Sequence, residues 1–295
     1  MKRVDFDFIE EHFPKRPSDA HKGTMGTLLS LTGSRGFSGA AVLSTQAALR
    51  SGVGLVYQVL PACIYPIFAS SVYESVCIPV GGNEAGTLCM ADMDMIRPVL
   101  GKTTAVLIGC GLGNNDDTAE VLSAILHTCR CPVIIDADGI NALSQHIHIL
   151  DDVTAPIILT PHVKEFSRLS GLAVEDILQA PAQCAADFAK QHAGMTLTLK
   201  GHRTYIAQGD EIYENIAGNS GMAKGGSGDV LAGIISSLTA QGAKPFDAAV
   251  MGVHIHALAG DIAAAKLSRT AMLPSDIIHA LPEIYTKIED SIDNG

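Results

Sequence analysis

The sequence predicts a single α/β domain built around a mainly parallel sheet with helices on both faces. Short runs of β-branched and aliphatic residues alternate with helical patterns along the chain, and this alternation is typical of strand–helix–strand units. No repeat, low-complexity segment or linker divides the 295 residues, and an apolar content of 47% is enough for one large core. We therefore expect one domain over residues 1–295.

Five buried strands are predicted in the first part of the chain, because each segment is short, apolar and bounded by turn-forming residues. Parallel strands need long crossover connections, and helical spacing of apolar residues is found between several of these segments. The predicted strands cover residues 27–33, 54–60, 104–109, 132–136 and 156–160, and the predicted helices cover residues 40–51, 119–128 and 140–145.

The last third of the chain has a different pattern. Three extended segments follow one another with only tight turns between them, which predicts an antiparallel extension at one edge of the sheet, over residues 195–200, 203–207 and 211–215. After them the sequence predicts only helices, over residues 229–238, 245–266 and 274–288.

The composition limits the possible classes of function. The formal net charge of −11 argues against a nucleic-acid-binding protein, which needs a basic surface to neutralise phosphates. The first residues lack the apolar core of a signal peptide, and we expect no apolar run as long as a membrane-spanning helix. Seven cysteines at irregular spacings favour reduced thiols over a disulfide framework. We expect a cytoplasmic protein with neither a membrane nor a nucleic acid as partner.

A glycine-rich stretch stands directly before one of the predicted helices. Gly225, Gly226, Ser227 and Gly228 precede Asp229. Each glycine costs conformational entropy on folding, so the cluster indicates a tight turn or the close approach of a ligand. The free N–H groups of a helix N-terminus bind anions. Asp229 alone is consistent with an ordinary acid in the first turn of a helix. Several exposed amides beside it favour a phosphoryl-transfer site, in which the amides bind the phosphoryl group and Asp229 is the base.

A second glycine-rich turn follows the strand predicted at residues 104–109. Residues 109–113 read Gly-Cys-Gly-Leu-Gly, and the third glycine comes one residue too early for the dinucleotide-binding fingerprint. A tight structural turn and a ligand contact are both open for this segment. The chain has no Walker-type phosphate loop.

The stretch Gly226-Ser-Gly-Asp229 resembles the anion hole and catalytic base of ribokinase-like small-molecule kinases. A longer ordered series of motifs is similar to the ADP-dependent NAD(P)H-hydrate dehydratase family and covers roughly the whole chain. The resemblance implies a ribokinase-like three-layer sandwich. Because the first motif begins near the N-terminus, it also implies the stand-alone dehydratase, without the epimerase domain that precedes it in some relatives. The series consists of residues 21–26, 39–40, 48–54, 109–113, 136–143, 160–166, 199–202 and 221–233.

The resemblance implies a repair reaction. NADH or NADPH hydrated at C6 of the nicotinamide ring, as the S-epimer, would be returned to the normal cofactor with ADP as co-substrate and AMP and phosphate as products. Asp229 would be the catalytic base, which the helix N-terminus is expected to keep ionised, beside an anion hole of Gly226, Ser227 and Gly228 amides. The nucleotide would contact Lys200, Gly201, His202, Arg203, Thr204 and Gly228, and the hydrated dinucleotide would contact Ala40, Gly113, His162 and Asp229.

The resemblance also implies Mg²⁺ and self-association. Glu165 occupies the place of a carboxylate that helps to position Mg²⁺ indirectly, and an exposed acid at a helix start is the equally weighted alternative. A homo-oligomer is expected, with a tetramer as one candidate size. Lys224 stands where many relatives have a small hydroxyl residue, and we favour a cation near phosphate over a side chain in solvent. Asp138 is expected to be structural, and the role of Asp136 stays open.

Two other functions compete with the repair dehydratase. A kinase of the same fold for a vitamin-precursor alcohol, such as hydroxyethylthiazole or hydroxymethylpyrimidine, would share residues 226–229 but is less expected to share the whole series. An adenine-nucleotide sensor would have no need for Asp229. The spacing of the remaining histidine and cysteine pairs does not predict metal sites, and their histidines are expected to be hydrogen-bonded or exposed: His146 with His148, His254 with His256, and Cys129 with Cys131.

Overall fold

A computed structural model describes residues 1–150, 152–192 and 194–294 of the chain. The strands in these ranges are β1 (Lys2–Arg3), β2 (Thr27–Leu31), β3 (Leu55–Pro61), β4 (Val76–Val80), β5 (Ala105–Ile108), β6 (Val133–Ile135), β7 (Ile157–Leu159), β8 (Met195–Leu199), β9 (Thr204–Gln208) and β10 (Glu211–Asn215). They form a ten-stranded sheet in the order β1-β10-β9-β8-β7-β6-β5-β2-β3-β4.

The sheet is parallel from β8 to β4, and β8, β9 and β10 pair antiparallel at the other end. All the predicted strands, including the antiparallel extension, are therefore confirmed. Two strands were not predicted. β1 has only two residues and runs parallel to β10 at the edge. β4 is the opposite edge strand, is partly exposed and contains Pro79, so it lacks the continuous apolar run of a central strand.

Helices cover both faces of the sheet. Most predicted helices are confirmed, although the one predicted to begin at Ala119 begins at Asp116, where the Asn115 side chain accepts a hydrogen bond of 3.0 Å from the Thr118 amide. The helices are α1 (Phe6–His12), α2 (Ser38–Arg50), α3 (Tyr65–Ala69), α4 (Met93–Leu100), α5 (Asp116–Thr128), α6 (Asp138–Gln145), α7 (Val163–Ser170), α8 (Val174–Gln179), α9 (Pro181–Gln191), α10 (Ser227–Ala240), α11 (Pro245–Leu267) and α12 (Pro274–Asn294).

Alternate residues of the strands face two apolar layers. Leu29 and Ile108 pack in a layer with side chains of α4 to α9, whereas Leu28 and Leu107 pack with α2, α10 and α11. The helices α10, α11 and α12 share a further buried cluster outside that second layer. Because side chains alternate between the faces of a strand, the sheet holds the two helical layers apart and in register.

The chain reverses its direction across the sheet at β2. From β2 it continues to β3 and β4 on one side, and β5 to β8 lie on the other side. In such sheets the loops after the two strands at the reversal leave a crevice for ligands. Here these loops are tied together, because the Gly33 amide donates to the Cys110 carbonyl at 2.8 Å and the Ser34 hydroxyl donates to the Gly111 carbonyl at 2.8 Å.

One helix is long and apolar enough to cross a membrane. By length and composition α11 passes that test, so the expectation that no apolar run has this length is wrong. The share of its apolar window that is buried inside the protein is 67%, as for the core helix of a folded domain. A single such helix is weak evidence for a membrane span.

Candidate active site at the carboxyl ends of the strands

The glycine-rich stretch forms a turn that ends in the first turn of α10. Gly226 has a φ of +101°, and a Cβ atom there would lie 2.6 Å from the Leu43 Cδ1 atom of α2. This position therefore needs glycine for its backbone and for its packing. The Ser227 amide donates to the Lys224 carbonyl at 3.2 Å, whereas in the described part of the chain the amides of Gly228 and Asp229 have no acceptor. Two of the donors expected at a helix N-terminus are available to an anion.

Lys200 lies beside this helix terminus. A Cβ atom on Gly228 would lie 3.2 Å from the Lys200 Nζ atom and 4.0 Å from Asp136 Oδ2. Lys200 follows β8, and its amide donates to the Pro161 carbonyl at 2.8 Å. The end of β8 therefore brings an ammonium group to the free amides of α10.

Asp136 directly follows β6 and is buried. Its Oδ1 atom accepts from Lys200 Nζ at 2.8 Å and from the Thr160 hydroxyl at 2.6 Å, and its Oδ2 atom accepts from the Cys110 thiol at 3.4 Å. A buried carboxylate is costly unless it is paired and hydrogen-bonded, and these partners supply both. The next residue, Ala137, has a φ of +47°, which is strained for a residue other than glycine. The role left open for Asp136 is thus to hold Lys200 in place.

Asp229 has the most perturbed carboxyl group of the site. Burial and then the Asp136 carboxylate raise its pKa, the Cys110 thiol and Lys200 act in the opposite direction, and the resulting pKa is about 7. The expectation that the helix N-terminus keeps Asp229 in its ordinary ionised range is therefore wrong, because burial and a like charge outweigh the dipole. Ligand atoms of Cys110, Asp136 and Asp229 all lie within 4.8 Å of one another.

Lys200 remains a cation in this setting. Burial acts to lower its pKa, but the Asp136 carboxylate and then Glu165 outweigh it, so the pKa of Lys200 is raised. Burial, Asp136 and Asp229 raise the pKa of the Cys110 thiol well above its ordinary value. Cys110 is therefore a protonated thiol, which here donates to Asp136, rather than a thiolate.

His162 and Glu165 close the start of α7 reciprocally. The Glu165 amide donates to His162 Nδ1 at 3.1 Å, and the His162 amide donates to Glu165 Oε2 at 2.9 Å. The other carboxylate oxygen lies 3.4 Å from His162 Nε2. Glu165 is buried, so the alternative of an exposed acid is wrong, and both of its oxygens are already occupied. As it stands, the side chain does not fit a direct Mg²⁺ ligand.

A family model described as NAD(P)H-hydrate dehydratase matches residues 28–283. The chain belongs to this family. The ADP-dependent (S)-NAD(P)H-hydrate dehydratase of Neisseria meningitidis is 38% identical over 255 residues, which are 85% of this chain and 81% of that protein. The bifunctional NAD(P)H-hydrate repair enzyme of Moorella thermoacetica is 36% identical over 287 residues, which are 97% of this chain and 54% of that protein. The chain thus spans about half the length of the bifunctional relative.

Solved structures agree with the family assignment. A ribokinase-like superfamily protein from Enterococcus faecalis is 31% identical with a TM-score of 0.84, over 98% of this chain and 96% of that one. The ADP/ATP-dependent NAD(P)H-hydrate dehydratase from Bacillus subtilis, co-crystallised with ATP and Mg²⁺, is 28% identical with a TM-score of 0.83, over 97% of this chain and 98% of that one. The predicted ribokinase-like sandwich is confirmed.

In this member of the NAD(P)H-hydrate dehydratase family, the turn of residues 109–113 packs against the start of α2. A Cβ atom on Gly111 would lie 2.8 Å from the Ala40 Cβ atom, and one on Gly109 would lie 2.0 Å from the Asp136 carbonyl oxygen. The Gly113 amide donates to Asp138 at 2.9 Å, which agrees with the structural role predicted for Asp138. The glycines of this turn are thus required by packing, and Ala40 and Gly113 lie at the crevice between β2 and β5.

The predicted nucleotide-binding residues after Lys200 occupy the turn between β8 and β9. Gly201, His202 and Arg203 are exposed there, and Thr204 begins β9. The Arg203 guanidinium donates to Glu214 Oε1 at 2.7 Å, and this hydrogen bond raises the pKa of Arg203. Of this group, Lys200 is the one whose side chain reaches the free amides of α10.

Lys224 has backbone partners that the sequence did not predict. Its ammonium donates to the Thr270 carbonyl at 2.7 Å and also to the Met272 carbonyl, in the segment before α12. The alternative of a side chain pointing into solvent is therefore wrong, whereas the hypothesis of a cation near phosphate stays a prediction. Lys224 ties the glycine-rich turn to the chain that precedes the last helix.

The two histidine pairs lie in different surroundings. The groupings of potential metal ligands in the described residues do not include them. His254 Nδ1 lies 2.8 Å from Asn215 Oδ1. The buried His256 Nε2 has no hydrogen-bond partner in the described residues, whereas a hydrogen bond to the Ser227 backbone acts to raise the pKa of the ring. Burial, with a further contribution from Lys200, lowers the pKa of His256 to about 4, and the ring is neutral.

Sequence reasoning missed three residues of this cluster. Cys110 and Thr160 follow β5 and β7, as Asp136 follows β6. Parallel strands end at the same edge of a sheet, so polar residues just after successive apolar runs are the signal that could have found them. His256 carried a different signal, a polar residue within an apolar helix.

Proposed function

We propose that the protein restores NADH and NADPH from the S-epimers of their C6 hydrates, with ADP as co-substrate and AMP and phosphate as products. The observation that carries the proposal is the position of Asp229 in the first turn of α10, beside free backbone amides and the Lys200 ammonium. Membership of the NAD(P)H-hydrate dehydratase family supports the choice of substrate. The ADP-dependent relative from Neisseria meningitidis supports the choice of nucleotide.

The first step is transfer of a phosphoryl group. The C6 hydroxyl attacks the β-phosphorus of ADP, Asp229 takes the hydroxyl proton, and AMP leaves. A carboxylate with a pKa of about 7 is well matched to this work near neutral pH, because a base is most effective when its pKa is close to the working pH. The amides of Gly228 and Asp229 and the Lys200 ammonium stabilise the charge on the transferring oxygens.

The second step is elimination. Hydroxide is a poor leaving group, whereas phosphate is a good one. The lone pair of the ring nitrogen expels phosphate from C6, and loss of a proton from C5 restores the dihydropyridine. The sum is removal of water from the hydrate and hydrolysis of ADP to AMP and phosphate, so atoms and charges balance.

The two substrates approach from different loops. We infer that the adenine nucleotide lies along Lys200, Gly201, His202, Arg203 and Thr204, with its β-phosphate over the helix terminus at Gly226, Ser227 and Gly228. The hydrated nicotinamide ring then lies between Asp229 and a wall formed by Ala40, Gly113 and His162. The crevice between β2 and β5 and the proximity of residue 162 to residue 200 support this arrangement.

Mg²⁺ is proposed to enter with the nucleotide. It would neutralise phosphate charge, and in such sites most of its ligands are phosphate oxygens and waters. The protein offers little preformed coordination, because both Glu165 oxygens contact His162 and the group of Cys110, Asp136 and Asp229 includes a thiol. The co-crystallisation of the Bacillus subtilis relative with ATP and Mg²⁺ supports a nucleotide-borne ion.

We further propose a cytoplasmic homo-oligomer, with a tetramer as one candidate size. All seven cysteines are free thiols, which suits a reducing compartment. Exposed apolar side chains surround the open edge strand β4, at Tyr65, Ile67, Tyr73 and Val76. Such a patch beside an unpaired strand edge favours association. Light scattering of the purified chain measures its mass, and a monomer at micromolar concentration would contradict the assembly.

The decisive experiment uses purified protein with hydrated NADH and either ADP or ATP at equal concentration. We expect the dihydropyridine absorbance to return faster with ADP, together with equal amounts of AMP and phosphate. Faster repair with ATP, yielding ADP, would overturn the nucleotide assignment alone. Phosphorylation of a thiazole or pyrimidine alcohol without repair would favour the kinase, and nucleotide binding without either reaction would favour a sensor.

A further inference from the structure

Two cysteines outside the candidate active site lie in contact. Cys129 caps the C-terminal end of α5, and Cys131 stands just before β6. Their Sγ atoms are 3.2 Å apart, and the Cys129 thiol also lies 3.3 Å from the Cys131 carbonyl oxygen. Cys129 is 2% exposed, whereas Cys131 is only partly buried. One residue of the pair is thus partly exposed, and its thiol contacts the buried thiol of the other.

The two thiols differ in acidity. A hydrogen bond from Cys129, with a smaller contribution from Thr103 at 3.7 Å, outweighs burial and lowers the pKa of Cys131 to about 7. The same hydrogen bond and burial raise the pKa of Cys129. Cys131 is therefore the thiol that more readily forms the thiolate, which is the nucleophilic form. This difference in acidity suits Cys131 as the attacking cysteine and Cys129 as the resolving cysteine.

We propose that Cys129 and Cys131 are a redox-active dithiol, which low-molecular-weight disulfides oxidise to a reversible intramolecular disulfide. The inference rests on the partial exposure of Cys131 and on its 3.2 Å contact with Cys129. In the described residues, no cluster of histidine, cysteine, aspartate and glutamate ligands includes this pair. A zinc site, which needs four ligands, is therefore a poor alternative.

The reaction is a double thiol–disulfide exchange. The Cys131 thiolate attacks one sulfur of the small disulfide, a new S–S bond forms, and one small thiolate leaves. The Cys129 thiol then loses its proton to solvent and attacks Cys131 Sγ, and the second small thiolate leaves. The protein loses two electrons and two protons, and the small disulfide is reduced to two thiols.

The product is expected to be easily reduced. The sulfurs must approach from 3.2 Å to about 2.05 Å, the length of a disulfide bond, within a ring that contains a single intervening residue. Closing so short a loop removes little entropy from the unfolded chain, and strained or exposed disulfides have the more oxidising potentials. The pair is thus suited to reversible oxidation rather than to stabilising the fold.

The sequence provides a direct readout, because trypsin cleaves after Arg130, between the two cysteines. The full chain is incubated with oxidised glutathione near neutral pH, remaining thiols are alkylated, and the protein is digested without reduction. We expect the peptide of residues 103–130 to be joined to the peptide of residues 131–164, with fragmentation placing the bond at Cys129 rather than Cys110. Dithiothreitol should separate the two peptides.

Matched variants define the roles of the two sulfurs. Cys129→Ser should stop the reaction at a mixed disulfide on Cys131, and Cys131→Ser should prevent the cross-link. Exposed Cys63 is the internal reference for an ordinary thiol. Cys131 should react faster than Cys63, because its contact with Cys129 favours the thiolate form.

The test does not depend on NAD(P)H repair, so it stands or fails separately from the proposed function. A wild-type protein that accumulates only the mixed disulfide at Cys131 would overturn the dithiol. So would Cys131 modification that is no faster than that of Cys63, with no cross-linked peptide after prolonged incubation.

Discussion

The Lys200 Nζ atom lies 2.8 Å from Asp136 Oδ1, at the ends of two strands that are separated in the sheet by β7. The same ammonium stands 3.2 Å from where a side chain on Gly228 would begin. One buried ion pair thus connects the sheet to the helix terminus that carries the candidate base. It places a cation next to the free amides without leaving its charge uncompensated.

Asp229→Asn is expected to abolish most repair activity while nucleotide binding is kept. The amide cannot take the hydroxyl proton, and the loss of a general base typically costs a hundred- to ten-thousandfold. Turnover with hydrated NADH and the ADP affinity should be measured in parallel. A variant with near-normal turnover would remove Asp229 from the mechanism.

The same substitution should stabilise the protein at alkaline pH. The pKa of Asp229 is raised from 3.8 to about 7, so its contribution to stability is lost as pH rises between these values. We compare the free energy of unfolding of Asp229→Asn with that of wild type at each pH. This difference should become more favourable to the variant by up to about 3 kcal/mol between about pH 5 and about pH 8. Denaturant titrations at the two pH values check this, and a gain independent of pH would contradict the raised pKa.

Asp136→Asn and Lys200→Gln should shift the acid limb of the pH–rate profile in opposite directions. Asp136 raises the pKa of Asp229 and Lys200 lowers it. The limb should move to lower pH in Asp136→Asn and to higher pH in Lys200→Gln, by roughly one unit in each. Lys190→Gln, which removes an exposed partner of Asp210, is the control and should leave the limb in place. Shifts of the same sign in both variants would contradict opposite effects of Asp136 and Lys200 on the pKa of Asp229.

Valine substitutions should separate two kinds of glycine in the turn before α10. At Gly228 the new side chain meets the flexible end of Lys200 but intrudes on the amides, so activity should fall on the order of a hundredfold with a nearly normal fold. At Gly226 the positive φ and the clash with Leu43 should mainly destabilise the protein. Gly225 has open space around it and serves as the control. Thermal unfolding and turnover are measured together, and a Gly228 variant that only unfolds would refute the distinction.

Lys224→Met should weaken the fold and spare nucleotide use. The side chain donates to backbone carbonyls near α12, so its loss should cost about 1–2 kcal/mol of unfolding free energy. The KM for ADP should stay within about twofold of wild type, because no phosphate contact is removed. An increase in that KM with unchanged stability would support the role that the sequence had suggested.

The strands and the glycine-rich turn could be predicted because their signals are local. Apolar runs between turn residues identify β2 to β3 and β5 to β7, and apolar residues recur at helical spacing after Asp229. The raised pKa of Asp229 could not be predicted, since it arises from burial and from Asp136, which is distant in sequence. Lys224 is a similar case. Its acceptors are carbonyl groups, which every residue has, and only the fold selects Thr270 and Met272.

The order of the chain has a consequence for biosynthesis. The site draws on residues 110, 136, 160, 200 and 229, so its parts emerge from the ribosome one after another and are joined only by non-local contacts. Until α10 packs against the sheet, the Lys200–Asp136 ion pair has no candidate base beside it, because Asp229 lies on α10. Contacts between residues far apart in sequence form slowly, and a domain that depends on them exposes apolar surface until they have formed. Chains that stop before the last helices should therefore be inert rather than partly active, and catalysis itself should report that folding is complete.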